Sequence, residues 1–149
     1  MAFLLDTSIL VRLANKADAM YAVADAAVAK LFLNNETLHI TPQNMIEFRN
    51  VATRPKVVNG LGLSPTETEA KAAIFEASFS LLAETPGIFP AWKGLVGALG
   101  VIGKQVYDAR LVAVCQVHNV SHLLTFNTNH FVALAAHAPG LVIVDPAKV

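Results

Sequence analysis

The segment AFLLDTSILVRLANK, residues 2–16, decides the fold of this 149-residue chain. Its first four residues are apolar, and such a short run is typical of a buried β-strand. Asp6 closes the run, and the apolar residues after it indicate a helix whose N-cap is Thr7 or Ser8. A buried strand followed by a helix is the repeating unit of α/β proteins, in which ligands gather at the carboxyl ends of strands. Asp6 is placed at such an end.

The rest of the chain alternates between the same two kinds of pattern. We predict helices over residues 21–33, 42–53, 65–84, 106–118 and 131–138, and strands over residues 37–41, 121–125 and 141–145. Residues 94–105 are rich in glycine, which argues against a regular element there. This order predicts a single α/β domain, residues 1–149, whose mostly parallel sheet is covered on both faces.

Composition excludes several classes of protein. Hydrophobic residues make up 54% of the chain, but its main uncharged apolar stretch, residues 94–103, has about half the length of a transmembrane helix. The N-terminus has no basic segment before its apolar run, as a signal peptide would. The single cysteine, Cys115, excludes a disulfide framework and a cysteine-rich metal site, and we expect it in the core. A cytoplasmic protein without a membrane span is expected.

The charges balance, with 11 basic and 11 acidic residues, so net charge does not indicate a nucleic-acid partner. Their distribution is uneven, because residues 48–66 contain Arg49, Arg54 and Lys56 but no acid. These residues form either a locally basic surface for nucleic acid or a set of scattered, solvated charges. The sequence leaves both interpretations open.

Two acids besides Asp6 are candidates for chemistry. Glu47 lies between apolar residues on the helix after the second strand, so it can border the core. Asp108 is near the start of a helix that is apolar nearly all round, where a carboxylate can point into a cleft. Each acid also has an ordinary explanation. Asp6 can cap a helix, Glu47 can be solvated, and Asp108 can interact with the helix dipole.

Further polar candidates follow the third predicted strand. Thr125 and Asn127 lie in the segment LLTFNTNHF, where Asn127 is either a turn residue or a neutral ligand. Carboxylate, hydroxyl and amide oxygens suit Mg²⁺ or Mn²⁺. The chain has 5 histidines, and only His118 and His122 have the spacing of a zinc-binding helix motif, but we expect the helix to end between them. The sequence therefore favours a Mg²⁺ or Mn²⁺ site over a zinc site.

Three blocks of sequence together resemble the PIN-domain family, in particular the VapC-type toxins of bacterial and archaeal toxin–antitoxin pairs. The blocks are FLLDTSIL at residues 3–10, MIEFRNVATRP at residues 45–55 and YDARLVAVCQVHNVSHLLTFNTNHF at residues 107–131. They match the first acid of the family, its glutamate helix, and its third acid with the last site motif. The resemblance covers the whole chain and implies a three-layer α/β/α domain with a mostly parallel central sheet.

The resemblance also implies roles for individual residues. The metal-binding and catalytic acids of the family fall on Asp6, Glu47 and Asp108. Its supporting positions fall on Thr7, Thr125 and Asn127. Many members have Asp in the last motif, and Asn127 lowers the negative charge of the site. The choice between one and two bound cations therefore stays open.

The implied reaction is hydrolysis of RNA phosphodiester bonds, with Mg²⁺ or Mn²⁺ as the cofactor. Such chemistry depends on positioning and charge neutralisation, which a divalent cation supplies. Candidate residues for contact with RNA phosphates are Arg12, Arg49 and Arg110. The resemblance further implies a homodimer and a cognate antitoxin whose C-terminal segment covers the active-site groove. The RNA target and the antitoxin are not specified by these residues.

Other functions are compatible with parts of the pattern. A phosphatase of the haloacid-dehalogenase kind also begins with a strand and an Asp, but it needs a second acid where this chain has Ser8. A second possibility is a PIN-like scaffold that binds RNA or protein without cutting. Asn127 supports this possibility, because many members of the family have Asp in that motif. A plain α/β interaction module is a third, and it predicts no response to Mg²⁺.

Overall fold

The structure is a computed structural model that describes residues 1–149. Its first strand is separated from its first helix by a single residue, Asp6. The strands are β1 Ala2–Leu5, β2 Thr37–Ile40, β3 Ser80–Leu81, β4 His122–Leu124 and β5 Val142–Val144. The helices are α1 Thr7–Leu13, α2 Tyr21–Leu33, α3 Pro42–Thr53, α4 Pro65–Ser78, α5 Ile88–Leu99, α6 Gln105–His118 and α7 Thr128–Ala135. Short 3₁₀ helices cover Lys56–Val58 and Pro146–Lys148. No helix has both the length and the apolar character needed to cross a membrane.

All five strands form one parallel sheet in the order β3-β2-β1-β4-β5. The central strand is β1, in which Phe3 pairs with Leu38 of β2 and Leu5 pairs with Leu124 of β4. Parallel strands require crossover connections, and helices supply them here. The predicted α/β domain with a parallel sheet is confirmed. Because the strands are parallel, the residues that follow β1 and β4 meet at the same edge of the sheet.

Helices cover both faces of the sheet and complete three layers. Successive residues of a strand point to opposite faces. Leu5 therefore packs in the cluster formed with α1, α2, α3 and α4, whereas Leu4 packs in the cluster formed with α5, α6 and α7. Both leucines are 0% exposed. Cys115 is buried in the second cluster, as expected for a core residue. The predicted three-layer α/β/α architecture is confirmed.

Capping boxes fix the start of two helices. The Thr41 side chain accepts a hydrogen bond from the backbone N–H of Asn44, and the Asn44 side chain accepts one from the backbone N–H of Thr41. Ser64 and Glu67 form the same reciprocal pair at the start of α4. Each pair satisfies backbone donors that the helix leaves free. The box at Thr41 fixes the helix that carries Glu47.

The glycines of residues 94–105 argue against a regular element, but α5 includes residues 94–99 of this segment. Pro90 lies in the first turn of α5, where a missing N–H breaks no helical hydrogen bond. Trp92 attaches the helix to α6, since its Nε1 donates to the carbonyl oxygen of Val106 at 2.7 Å. Leu95 is buried in the core. Tertiary packing therefore overrides the low helix propensity of the glycines in this segment.

The structure also contains a strand that the sequence did not predict. The helix α4 ends at Ser78 instead of continuing to residue 84. Phe79 is extended, with φ −121° and ψ 147°, and its ring is stacked on that of Phe75 with centroids 6.2 Å apart. Phe79 is buried and its backbone leaves the helical conformation. The next residue, Ser80, pairs with His39 of β2. A two-residue edge strand is too short to show a periodicity in the sequence.

We predict that alanine substitutions at Gly60 and Gly94 change stability in opposite directions. A Cβ at Gly60 would lie 1.8 Å from the carbonyl oxygen of Arg54, so Gly60→Ala must displace backbone. We expect it to lower the free energy of unfolding by roughly 2 kcal/mol. A Cβ at Gly94 meets no atom within 4 Å, so Gly94→Ala in α5 should raise it by about 0.5–1 kcal/mol. Urea denaturation measures both changes, and the same sign for both would contradict this account.

Candidate active site

The carboxylate of Asp6 lies at the carboxyl end of β1, in the middle of the sheet. Its backbone N–H donates to the carbonyl oxygen of Leu124 at 2.9 Å, which holds the chain beside β4. Asp6 occupies the N-cap position of α1, so the prediction of Thr7 or Ser8 as the N-cap is wrong. The Asp6 side chain makes no capping hydrogen bond. Its ordinary explanation as a helix cap therefore fails as well.

Two hydroxyl groups hold the Asp6 carboxylate, which belongs to a residue that is only 6% exposed. Oδ2 accepts hydrogen bonds from Ser8 Oγ at 2.6 Å and from Thr125 Oγ1 at 2.8 Å. No donor of the protein reaches Oδ1. Burial of a carboxylate is costly unless its oxygens have partners, so Oδ1 is suited to a cation or to water.

Glu47 is held on both of its carboxylate oxygens. Oε2 accepts a hydrogen bond from Thr7 Oγ1 at 2.7 Å, and Oε1 accepts one from Gln43 Nε2 at 2.8 Å. Gln43 Nε2 also donates to the carbonyl oxygen of Tyr107 at 2.9 Å, so it connects α3 to the start of α6. Asn44 Nδ2 donates to Thr7 Oγ1 at 3.2 Å. Glu47 is therefore a fixed, half-buried carboxylate, unlike an ordinary solvated residue of a helix.

Asp108 lies in the first turn of α6 with its side chain half-buried. Burial and, to a smaller extent, the charge of Asp6 raise the pKa of this carboxyl to about 6. His130 opposes the rise with its Nδ1 3.6 Å from Asp108 Oδ2, and Glu47 contributes a smaller increase. The charges of Asp6 and Glu47 can raise the pKa of Asp108 only because their carboxylates lie near its own.

The three acids line one cleft of about 770 Å³. Asp6 comes from the end of β1, Glu47 from α3 and Asp108 from α6. The structure thus brings together the acids that the sequence singled out. Their function in catalysis or metal binding remains a prediction. Polar and charged residues also line the cleft, among them Thr7, Ser8, Arg12, Arg54, Lys56, Lys104, Tyr107, Asn127 and His130.

The predicted supporting residues differ in their positions. Thr7 and Thr125 each donate to a carboxylate of the cleft, at Glu47 and Asp6 respectively. Asn127 is exposed, lines the cleft and makes no side-chain cap for α7. Its backbone N–H donates to Thr125 Oγ1 at 2.9 Å. Asn127 therefore helps to orient the Thr125 hydroxyl and leaves its own amide facing solvent.

Of the three arginines predicted to bind phosphates, the structure brings only Arg12 into the lining of the cleft. Its guanidinium lies 5.0 Å from the centre of the Phe126 ring. Arg49 lies outside this lining and bonds to Glu69 at 2.5 and 2.9 Å. Arg110 also lies outside it and bonds to Glu84 at 2.6 Å. Both of these guanidinium groups are already paired with carboxylates.

Other cleft residues were not assigned to the site from the sequence. The cations Arg54 and Lys56 lie in the acid-free stretch of residues 48–66, which was the signal available for them. Lys104 had no such signal, because it lies between glycine-rich and apolar segments. Ser8 and His130 reach the site through contacts with Asp6 and Asp108. Such contacts depend on tertiary structure.

The donors of the cleft fit a hydrated divalent cation better than a bare one. No three of the His, Cys, Asp and Glu side chains stand close enough together to hold one metal ion directly. Mg²⁺ retains several waters in proteins and is commonly bound by one or two carboxylates. The free Oδ1 of Asp6 and the repulsion felt by Asp108 both favour positive charge between these groups.

Comparison with known proteins agrees with this fold. The model of the family described as the PIN domain matches residues 3–136. A search of curated sequences gave no significant match. Among solved structures, VapBC2 from Rickettsia felis, bound to a DNA fragment from its promoter, is 19% identical with a TM-score of 0.71. That alignment covers 97% of this chain and 98% of that chain.

Two further structures have similar folds. VapBC-1 from nontypeable Haemophilus influenzae is 19% identical with a TM-score of 0.71, over 99% of this chain and 100% of that chain. VapC20 from Mycobacterium tuberculosis, described as a toxin that cleaves the sarcin–ricin loop, is 19% identical with a TM-score of 0.65. Its alignment covers 88% of this chain and 94% of that chain. Identities this low establish the fold and leave the chemistry to the residues of the cleft.

We predict that Asp108→Asn stabilises the metal-free protein near pH 7.5 and not near pH 4. The folded state keeps the Asp108 proton up to pH about 6, whereas the unfolded chain releases it near the ordinary value of 3.8. Stability therefore falls as pH rises between these values, and above them the full penalty applies. Removing the charge should add on the order of 2 kcal/mol near pH 7.5.

Thermal unfolding in a chelator, at both pH values, measures this effect. Asp25→Asn is the matched control, since Asp25 is exposed on α2 and outside the cleft. We expect that control to change little at either pH. An Asp108→Asn variant with the same melting temperature difference at both pH values would contradict the account of Asp108.

Proposed function

We propose that this chain, which belongs to the PIN-domain family, is a Mg²⁺-dependent endoribonuclease and the toxin of a toxin–antitoxin pair. The observation that carries the proposal is the convergence of Asp6, Glu47 and Asp108 from three separate elements on one cleft. Mn²⁺ can replace Mg²⁺, because both accept carboxylate and water ligands. The cleft contains the acids that phosphodiester hydrolysis with a divalent cation requires.

Asp6, Glu47 and Asp108 would hold the cation, at least one of them through water because the three are not close enough to bind it together directly. A bound Mg²⁺ would neutralise charge on the scissile phosphate and lower the pKa of an attacking water. Hydroxyls of the chain fix the acids in advance. Ser8 and Thr125 hold the Asp6 carboxylate, so little rearrangement is needed when substrate binds.

The cations of the cleft are suited to the phosphates of the substrate. Arg12 and Arg54 form no salt bridge, in contrast to Arg49 and Arg110. The hydrogen bonds of Arg12 and Arg54 run only to backbone carbonyl oxygens, from Arg12 to Ser8 at 3.3 Å and from Arg54 to Asn59 at 3.0 Å. Lys56 and Lys104 add two further charges to the lining. A phosphate chain can therefore be bound although the net charge of the protein is 0.

The toxin assignment is supported by the kind of protein that shares this fold. The similar structures include VapBC pairs and a toxin–antitoxin complex from Klebsiella pneumoniae, at TM-scores of 0.71 and 0.65. We accordingly propose a cognate antitoxin protein and a second copy of the chain, in a homodimer, as partners. Expression of wild type in a bacterial host should arrest growth, and the Asp108→Asn variant should not.

We predict that purified, partner-free protein cleaves RNA with Mg²⁺ or Mn²⁺ and that Asp108→Asn reduces cleavage to the level of a chelator control. The substitution removes one charge that would hold the cation, with almost no change in side-chain volume. Gel analysis of a mixed RNA pool measures cleavage. Asp25→Asn makes the same chemical change on an exposed face and should cut like wild type.

Equal cutting by all samples would show contamination and would remove support from the nuclease proposal. If no sample cuts a broad RNA pool while the RNA still binds, the non-catalytic scaffold becomes the better assignment. Asn127 lowers the negative charge available at the site and is the feature that favours that alternative. The two functions are thus separated by cleavage and not by binding.

We also predict that Mg²⁺ at millimolar concentration raises the melting temperature of wild type by a few degrees, because it binds the folded state only. The shift should be smaller in Asp108→Asn and unchanged in Asp25→Asn. Thermal unfolding at matched ionic strength, with Na⁺ as the control salt, measures it. No shift in wild type would count against a cation between these carboxylates.

A further inference from the structure

A second concavity opens beside the cleft, between the starts of α5 and α6. We call it the aromatic hollow. It has a volume of about 260 Å³ and is lined by Phe89, Trp92, Val106, Tyr107 and Arg110. Phe89 and Tyr107 are 65% and 58% exposed. Large aromatic side chains held in solvent around one concavity indicate a binding surface.

Two rings of the aromatic hollow, those of Trp92 and Phe89, are held by contacts within the protein. Trp92 Nε1 donates to the carbonyl oxygen of Val106 at 2.7 Å, which fixes the plane of the indole. The Phe89 ring lies against it, with centroids 5.7 Å apart and an angle of 34° between the planes. A rigid aromatic surface loses little side-chain entropy on binding. It is therefore suited to a flat ligand.

The charge of the aromatic hollow is nearly balanced. Arg110 donates to Glu84 at 2.6 Å and to Gln43 Oε1 at 3.2 Å, so its guanidinium is held and neutralised. A phosphate would have to compete with Glu84 for this group. A nucleobase would not, because it can stack on the guanidinium plane and on the aromatic rings without displacing the carboxylate.

The aromatic hollow and the cleft share one lining residue. Tyr107 lines both, and it precedes Asp108 in the first turn of α6. A residue that lines the hollow is therefore the chain neighbour of an acid that lines the cleft. Unpaired cations lie on the cleft side, at Arg12 and Arg54, where they can hold phosphates. A nucleotide with its phosphate in the cleft can therefore reach the hollow with its base.

We propose that the aromatic hollow binds an unpaired nucleobase of single-stranded RNA, next to the phosphate held in the cleft. The inference rests on the proposed function and names its substrate class. A base inside a duplex is stacked and paired, so it cannot enter a hollow of this kind. The RNA that the site selects is accordingly a loop, a bulge or a single-stranded end.

A nucleobase fits this surface better than a protein partner does. A stable protein interface engages about 20–30 residues on each side. The aromatic hollow is built by five residues and is concave. Its position beside the acids also connects it to substrate binding. A protein that occupied it would remain a possible result of the experiment below, and that result would overturn the proposal.

The test measures RNA binding in a chelator, so that binding is separated from cleavage. The probe is a fluorescein-labelled RNA of about ten nucleotides and mixed sequence, either single-stranded or annealed to its complement. Anisotropy gives the affinity. Trp92 is the only tryptophan of the chain, so its fluorescence reports directly on the aromatic hollow. We expect single-stranded RNA to bind and quench Trp92, and duplex RNA to do so much less.

Matched variants locate the contact. Phe89→Ala and Tyr107→Ala should each weaken binding of single-stranded RNA by about tenfold, the size expected for loss of base stacking. Tyr107→Phe should bind like wild type, because it keeps the ring. Phe32→Ala is the control, since Phe32 is also a partly exposed phenylalanine stacked on another ring, that of Phe79 on the opposite side of the sheet.

The outcomes separate this proposal from the proposed function. If Phe89→Ala and Tyr107→Ala bind like wild type while wild type still cleaves RNA, the nuclease stands and the base-binding hollow is wrong. Equal affinity for duplex and single strand would also overturn it. So would variants that keep RNA affinity but lose self-association in size-exclusion chromatography, because the hollow would then be a protein interface.

Discussion

Burial of carboxylates at one edge of a parallel sheet is the constraint on which the rest of this structure depends. Burial, together with the charge of Asp6, raises the pKa of Asp108 to about 6. Bringing these groups together lowers stability, so the chain must offset the loss elsewhere. It does so with hydroxyl and amide donors, at Ser8, Thr125 and Gln43, which hold Asp6 and Glu47. Asp108 receives only the opposing charge of His130, and it keeps the shifted pKa.

The parallel sheet explains why these donors are available. Asp6 and Thr125 follow neighbouring strands, β1 and β4, so a single hydrogen-bonded step joins them across the edge. A parallel sheet places all its carboxyl ends on that side, and the helices above it supply the remaining groups. Glu47 arrives on α3, which Thr41 caps and Phe48 anchors with 0% exposure. The same burial that stabilises the fold therefore fixes the spacing of the acids.

Sequence patterns predicted the parts of the site that depend on local order. Asp6 was found because an apolar strand ends at it, and Asp108 because it interrupts a buried helix. Local sequence patterns could not predict the ion pairs of the two arginines that lie outside the cleft. Arg49 and Arg110 meet Glu69 and Glu84, which are distant in sequence, and no local pattern shows that their charges are already satisfied. The cap of α1 was mispredicted for a related reason, since the hydroxyls expected to cap the helix instead bond to carboxylates of the cleft.

The least predictable element is also the one that builds the aromatic hollow. The helix α5 carries Pro90 and two glycines, Gly94 and Gly97, and its own sequence disfavours a regular structure. It is held by contacts with α6, including the bond from Trp92 to Val106. The low helix propensity of α5 conflicts with its helical structure, which places Phe89 and Trp92 beside Tyr107. In sequences selected only for folding, local propensity and overall fold agree. Departures from this agreement are expected where side chains serve binding. In the function that we propose, the acids would hold a cation for the phosphate and the rings of the aromatic hollow would bind a base.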